Sequence, residues 1–518
     1  MLLTSDGQHL IVSGMNGVYD LNTTDFQLLK QTVTGPLANT DDVIKIMICN
    51  KTETDNDGYI TTCSSRRNYC DIREVNGISR SVNHLNSPVK IDGAEAFMAT
   101  YIKTSGRNRR QDFLFIGCPH VEGQEDLGGR CTQPGISWYL NSGGEKSRPW
   151  YGFKSYEETP VLTEKYIGAF SVDNYRLFFS VQMVKATERR ISRIAQVCQY
   201  YVQHSRTYST PQTYADMPIQ CGQFEEIRAV KKVVVGTETL FITVFSGPMK
   251  SAVCVYSMET VKKMFVANIK DCYRGGRAPA NQDYINFQTS NVPCTHATND
   301  NATFYMPEDY YLCNKDNLAL FHQVIGSKVL SSLPVVQFDT QLTAVTVSQI
   351  NTKIVAFLGT TSGEIMKAVV YPKNFAVPVK QPETKNMGYM IQQDMYTSDD
   401  GKYIFFLSQR QVYKEPVETC LAFTTCVGCL GSKDPYCGWC FSENRCSTRN
   451  TCKSSSEWIS VSSNEKCPDV VSINTTVTSN KEIQLKPLIP LILGLCCIAL
   501  NIILERYQTV CIENHVLY

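Results

Sequence analysis

A surplus of either charge is missing from this chain. Lysine and arginine total 50 against 49 aspartates and glutamates over 518 residues, for a formal charge of +1, whereas a nucleic-acid binder normally carries a basic excess. Histidine is scarce. His9, His84, His120, His204, His296, His322 and His515 are scattered without HExxH or HxH spacing, so a zinc hydrolase has no ligand set. The chain has no GxSxG elbow, no GxGxxG fingerprint and no phosphate loop, and nothing in it points to catalysis or to a bound cofactor. Helical periodicity is almost lacking before residue 418. A leader is lacking as well, because Met1-Leu-Leu-Thr-Ser-Asp-Gly has neither a basic nor an apolar stretch. That start predicts an incomplete N-terminus of an exported protein.

What the chain has in excess is cysteine. Of 22 cysteines, nineteen precede residue 468, a usage expected in an oxidising compartment. Four sequons agree with export: Asn22, Asn50, Asn301 and Asn474 each open an Asn-x-Thr triplet and are candidate N-glycosylation sites. Seven cysteines crowd the stretch from Cys420 to Cys452, CLAFTTCVGCLGSKDPYCGWCFSENRCSTRNTC, and an eighth follows at Cys467. Such a stretch is too short to bury a core, so disulfides or metal must close it. Taken alone, Cys426-Val-Gly-Cys429 with Cys437-Gly-Trp-Cys440 has the spacing of a tetrathiolate zinc site. The other four cysteines favour disulfides, since eight thiols pair with none left over.

Residues 1 to about 418 read as short strands separated by Gly, Asn, Asp and Pro. His9-Leu-Ile-Val-Ser and Val18-Tyr-Asp-Leu flank Gly14-Met-Asn-Gly as a hairpin. Val233-Val-Val, Leu240-Phe-Ile-Thr-Val-Phe and Ala252-Val-Cys-Val-Tyr form a meander, and Ile354-Val-Ala-Phe-Leu, Glu364 to Tyr371 and Tyr403-Ile-Phe-Phe-Leu repeat the theme. So many strands exceed an ordinary sandwich, and radial repetition into a β-propeller is the economical all-β architecture. One helix interrupts it at about Met258 to Ile269, with Val261, Met264, Phe265 and Ile269 near one face and Cys254 and Cys272 as flanks. It is expected to pack on the propeller.

The wording of both regions is distinctive. CLGSKDPYCGWC with its flanking cysteines closely resembles the PSI module of plexins, semaphorins and integrins, and most of all that of plexins. VYDLNTTDFQLLKQTVTGP, RISRIAQVC, YADMPIQC, DCYRGG, FLGTTSGEIMKAVV and MYTSDDGKYIFFLSQRQVYKEPVETC resemble plexin sema-domain phrases in the order plexins use them. The resemblance implies a seven-bladed sema β-propeller over residues 1–419 and a PSI module over 420–467. It also implies the pairs Cys63–Cys70, Cys198–Cys313, Cys221–Cys254 and Cys272–Cys294, with Cys118 and Cys131 as a fifth. In the PSI module it implies Cys420–Cys437, Cys426–Cys467, Cys429–Cys446 and Cys440–Cys452, with Trp439 as a core side chain. Cys49 has no match, which makes it a candidate free thiol.

After Cys467, residues 468–487 resemble the start of the immunoglobulin-like modules of plexins. Leu488 to Leu504, LIPLILGLCCIALNIIL, is then 17 mostly apolar residues, the short limit for crossing a bilayer of about 30 Å. We expect it to span the plasma membrane, with the cysteine-rich part outside and 505–518 as a short tail. Two basic clusters, Arg107-Asn-Arg109-Arg110 and Arg189-Arg190 with Arg193, are expected at the surface, and Asp55-Asn-Asp57-Gly is expected to be a solvated turn rather than a calcium loop.

What the resemblance implies is a cell-surface receptor for semaphorins, binding sema domain to sema domain. Homo-oligomer and co-receptor are left open. The alternatives are a semaphorin-like ligand and a non-signalling decoy or scaffold form without the cytoplasmic GTPase-activating region.

Overall fold

A computed structural model of the chain describes residues 2–3, 7–35, 41–50, 59–64, 70–74, 77–85, 98–104, 111–118, 120–121, 135–140, 152–153, 161–198, 213–273, 285–286, 311–313, 324–350, 352–371, 375–379, 386–409, 411–461 and 467. The first sheet shows the local logic. His9–Gly14 and Gly17–Asn22 pair in register from His9 opposite Asn22 to Gly14 opposite Gly17. Between them Asn16 takes φ +61°, a left-handed conformation that asparagine tolerates better than most residues. A Cβ on Gly14 or Gly17 would lie 3.0 or 2.9 Å from the Tyr19 ring, which explains the glycines on either side of the turn. Leu2–Leu3 and Leu28–Val33 complete four antiparallel strands.

The same meander recurs along the chain. The second sheet contains Ile44–Asn50, Tyr59–Ser64, Cys70–Glu74 and Gly77–Leu85, and the third Met98–Thr104, Gln111–Cys118 and Gly135–Leu140. Next come Val161–Val172, Tyr175–Val184, Arg190–Cys198 and Ala215–Cys221, then Glu226–Val235, Glu238–Ser246 and Ser251–Ser257 joined by Val336–Phe338. Leu342–Ile350, Lys353–Thr360, Ile365–Tyr371 and Phe375–Pro378 follow, and Ile391–Thr397, Tyr403–Ser408 and Gln411–Pro416 make the last sheet before the cysteine-rich stretch.

From the second of these sheets onward, each first strand lies beside the first strand of the next: Ile44–Asn50 by Met98–Thr104, then Val161–Val172, Glu226–Val235, Leu342–Ile350 and Ile391–Thr397. The last sheet returns to the first. Leu10 and Phe405 are buried together among Val12, Leu21 and Phe26, so the sheets close into a ring. Radial closure of this kind is how a propeller-like fold protects its strand edges.

Apolar side chains between successive sheets form the core. Phe170, Phe179 and Phe241 meet with centroids 5.4 to 5.9 Å apart between the sheets that start at Val161 and Glu226. Ala344, Val355, Phe357, Ile391, Met395 and Phe406 fill the gap before the last sheet. Two further left-handed turn positions have glycine: Gly236 has φ +61° and Gly363 φ +89°, and a Cβ on Gly363 would meet the Tyr389 carbonyl at 2.6 Å.

Helix α1 spans Met258–Tyr273. Ser257 caps it, its Oγ accepting from the Thr260 amide at 3.1 Å, while Glu259 in the first turn and Lys270 in the last complement the helix dipole. Met258, Val261, Phe265, Val266 and Ile269 are buried in the cluster of the adjoining sheets. The helix runs a turn beyond the predicted Ile269 and takes in Cys272 rather than stopping before it. Buried Asn268 anchors that extra turn: its Nδ2 donates to the Lys328 carbonyl at 3.1 Å and its Oδ1 accepts from the Lys328 amide at 2.8 Å.

Among the described residues no helix is long and apolar enough to cross a membrane. The expected span 488–504, the segments 468–487 and 505–518, Arg107 to Arg110 and Asp55 to Gly58 lie outside the described residues.

Candidate functional site

The cysteines tie strands that the sheets already bring together. Cys63 and Cys70 face each other across adjacent strands and are bonded, with Cα atoms 4.2 Å apart. Cys221–Cys254 joins the fourth sheet to the fifth. Cys198–Cys313 spans 115 residues of sequence; beside it the Cys313 amide donates to Tyr175 Oη at 3.0 Å and Asn174 Nδ2 to the Cys313 carbonyl at 3.3 Å. Cys272 is also disulfide-bonded. Cys131, Cys294, Asn301 and Asn474 lie outside the described residues, as do the side chains of Cys49, Asn50 and Cys118. Asn22 ends its strand partly exposed, its Oδ1 accepting from the Thr24 amide at 2.7 Å.

The cysteine-rich stretch is a small sheet wrapped by short helices. Helix α2, Cys426–Gly431, starts at Thr425, whose Oγ1 accepts from the Gly428 amide. Gly438–Cys440 is the central strand between Arg445–Ser447 and Trp458–Ser460. Disulfides Cys420–Cys437, Cys429–Cys446 and Cys440–Cys452 cross it, and Cys426 and Cys467 are disulfide-bonded too. Bonded sulfurs offer no thiolate, so the CxxC spacing does not build a tetrathiolate zinc site here. Trp439 is buried among Cys420, Cys429, Cys437, Cys446 and Ile459. Gly438 makes room for Trp458, since a Cβ would lie 2.3 Å from that ring and from the Ile459 carbonyl.

A buried ion pair joins this module to the ring. Lys367, in the strand Ile365–Tyr371, reaches Asp434 with Nζ 2.6 Å from Oδ2, and the two side chains are only 2% and 1% exposed. Lys367 Nζ also donates to the Val417 carbonyl at 2.5 Å and lies 5.2 Å from the Tyr436 ring centroid. Asp434 Oδ1 accepts from the Tyr436 amide at 3.1 Å, and the Asp434 amide donates to Ser432 Oγ at 3.2 Å. Both charged groups of this pair thus have partners that replace water, which a buried charge requires.

The expected basic surface at Arg189, Arg190 and Arg193 is corrected in one residue. Arg189 and Arg190 are exposed and paired with Glu225 and Glu226. Arg193 is buried: Nη2 lies 2.6 Å from Asp216 Oδ1 and donates to the Gly326 carbonyl at 3.0 Å, while Tyr214 Oη donates to Asp216 Oδ2 at 2.8 Å. The strand periodicity explains it, because Arg193 alternates with the outward Arg190 position and falls on a packed stretch of Arg190–Cys198.

Polar groups also knit the first strands across the ring. Gln393 Nε2 donates to the Ile167 carbonyl at 2.5 Å, Lys232 Nζ to the Ser171 carbonyl at 3.0 Å, and Lys231 Nζ to the Met395 carbonyl at 3.3 Å. Burial lowers the Lys231 amine to about 8, against the pull of Asp394. Burial likewise pushes the Glu164 carboxyl up to about 7, opposed by hydrogen bonds from Gln182, Ser180 and Tyr166 and reinforced by Asp216. Folded Glu164 therefore holds its proton where the unfolded chain, titrating near 4.5, has released it. Its stabilising contribution is complete below about 4.5 and is lost as pH rises through about 7. Glu164→Gln should flatten that loss, which is on the order of 2–3 kcal/mol. Thermal melts at pH 5 and pH 8 check this: parallel pH dependence in the two proteins would rule it out.

Comparison with known proteins places this geometry. The family model described as Sema domain matches residues 226–398, and the one described as Plexin repeat, a PSI module, matches 419–468. Mouse Plexin-B2 is 26% identical over 324 residues, a match covering 57% of this chain and 16% of that protein, so the chain spans a small part of the curated relative. The extracellular region of Plexin A4 superimposes with a TM-score of 0.68 at 20% identity, over 88% of this chain and 49% of that one. A structure of Drosophila Plexin A in complex with Semaphorin 1b matches with a TM-score of 0.59 at 15% identity, over 89% and 94%. Part of the ring, residues 226–398, thus matches a sema domain and the disulfide-laced module a PSI module, in a chain whose curated relatives include plexins.

Proposed function

We propose that this chain is the semaphorin-binding part of a plexin-like receptor at the cell surface, acting by recognition and not by catalysis. The observation that carries the reading is the order of modules, a closed ring of sheets with a PSI module locked to it through Lys367 and Asp434. A rigid ring presents loops and a face already organised for a partner, which lowers the ordering cost of binding. The partner proposed is the sema domain of a semaphorin, in line with the complex in which the Drosophila relative was solved.

In this reading residues 1–419 are a seven-bladed propeller, 420–467 the PSI module, 468–487 a linker or the start of an immunoglobulin-like module, and 488–504 the membrane span, with 505–518 inside. The outward placement follows from the disulfides, which persist in oxidising compartments, and makes Asn22, Asn50, Asn301 and Asn474 the positions for glycan. Cys118–Cys131 and Cys272–Cys294 belong to the same proposal.

Cells displaying the chain should bind soluble semaphorin ectodomains from the same organism saturably, and reduction of the disulfides should abolish the binding. Failure of every such semaphorin to bind a correctly folded chain would overturn the reading.

A further inference from the structure

The junction between ring and PSI module has a second feature besides its buried ion pair. A cleft of about 880 Å³ opens between the last two sheets and the PSI module, within the size range of ligand sites, which favour module boundaries. Its sheet wall contains Lys353, Lys402 and Tyr403, and its PSI wall Arg449, Asn450 and Trp458.

Two cations in it are uncommitted. Neither Lys353 nor Arg449 makes an ion pair among the described residues, although one stands on each wall. The two carboxylates of the cleft are already engaged: Asp400 Oδ1 accepts from Ser398 Oγ at 2.6 Å and from the Lys402 amide at 3.0 Å, and Glu418 Oε2 accepts from the Cys420 amide at 2.8 Å. Lys402 Nζ also lies 3.4 Å from Asp400 Oδ2, which leaves Lys353 and Arg449 against Glu418 among the lining charges, so the remaining field in the cleft favours an anion. The aromatic residues are held in place. Lys414 Nζ sits 4.1 Å from the Tyr403 centroid, and Trp458 Nε1 donates to the Ser447 carbonyl at 3.0 Å, yet both rings remain partly exposed.

We propose that this cleft binds a sulfated oligosaccharide, as on a glycosaminoglycan chain. Sulfates would pair with Lys353 and Arg449 on opposite walls, the C–H faces of sugar rings would lie against Tyr403 and Trp458, and sugar hydroxyls would bond to Asn450. Anionic groups alone would suit an acidic peptide equally; aromatic rings lining the same cleft as the cations suit a saccharide. Saccharide binding here does not require that the chain bind a semaphorin.

The test is binding of the full chain to a heparin-derived hexasaccharide, to its fully desulfated form and to a polyglutamate peptide, by calorimetry at two salt concentrations. We expect saturable binding of the sulfated form that weakens with salt, and little of the other two. Lys353→Glu with Arg449→Glu should lower the affinity about tenfold or more, with an unchanged melting temperature, whereas Arg190→Gln, in a distant basic cluster, should leave it unaltered. Equal affinity in the double variant, equal binding of polyglutamate, or no saturable binding of the hexasaccharide would each overturn the proposal.

Discussion

Lys367→Ala should destabilise the protein by about 3–5 kcal/mol, and Asp434→Ala by a similar amount, because each leaves an unpaired charge in a site that water does not reach. The two side chains are 2% and 1% exposed and 2.6 Å apart. Removing Lys367 also deprives the Val417 carbonyl of its donor, and removing Asp434 frees the Tyr436 amide, so each loss exceeds the ion pair itself. The double replacement Lys367→Met with Asp434→Leu removes both charges and retains the volume, and it should recover most of the loss. Chemical unfolding of the two single variants and of Lys367→Ala with Asp434→Ala forms a double-mutant cycle whose coupling term reports the pair directly. A coupling near zero, or a Lys367→Ala loss under about 1 kcal/mol, would mean that the junction is hydrated and the modules are not locked.

The second large effect concerns Cys198 and Cys313. Their bond closes 115 residues of chain, and in the chain-entropy description a loop of that length stabilises by roughly 5 kcal/mol, against roughly 2 for the 7-residue loop of Cys63–Cys70. Alanine is the suitable replacement, because the four sulfurs are buried and serine would bury a hydroxyl. Cys198→Ala with Cys313→Ala should therefore reduce both melting temperature and secreted yield much more than Cys63→Ala with Cys70→Ala. Equal losses in the two double variants would contradict that dependence on loop length.

These two sites differ in how openly the sequence displays them. The cysteine stretch from Cys420 to Cys452 is legible because spacing and wording survive in a module with little else to vary, and Trp439 between two cysteines reads naturally as core. The sheets are legible as strands, since Tyr175–Val184 and Lys353–Thr360 are almost continuously apolar. Their ring is not, because nothing local says that Leu10 will meet Phe405. Lys367 and Arg193 were the hidden residues. Each is a cation inside an apolar strand, IMKAVVY and RISRIAQVC, and a charge at such a position signals a buried partner. The partners Asp434 and Asp216 come from distant segments, so only tertiary structure could name them. Proximity in sequence groups Arg193 with Arg189 and Arg190, whereas alternation along the strand separates it from Arg190.

The meeting of Leu10 with Phe405 also sets the order of events during synthesis. The first sheet leaves the ribosome with one apolar flank uncovered, and the side chains that cover it come almost four hundred residues later. At ordinary elongation rates of about 5–20 residues per second that is an interval of roughly 20–80 seconds. Throughout it Leu10, Val12 and Leu21 have no native neighbour on that side, and a topology dominated by such distant contacts folds slowly even when complete. The nascent chain is then a natural client for chaperones, and substitutions in the first sheet should act more on the yield of folded chain than on the stability of the finished molecule.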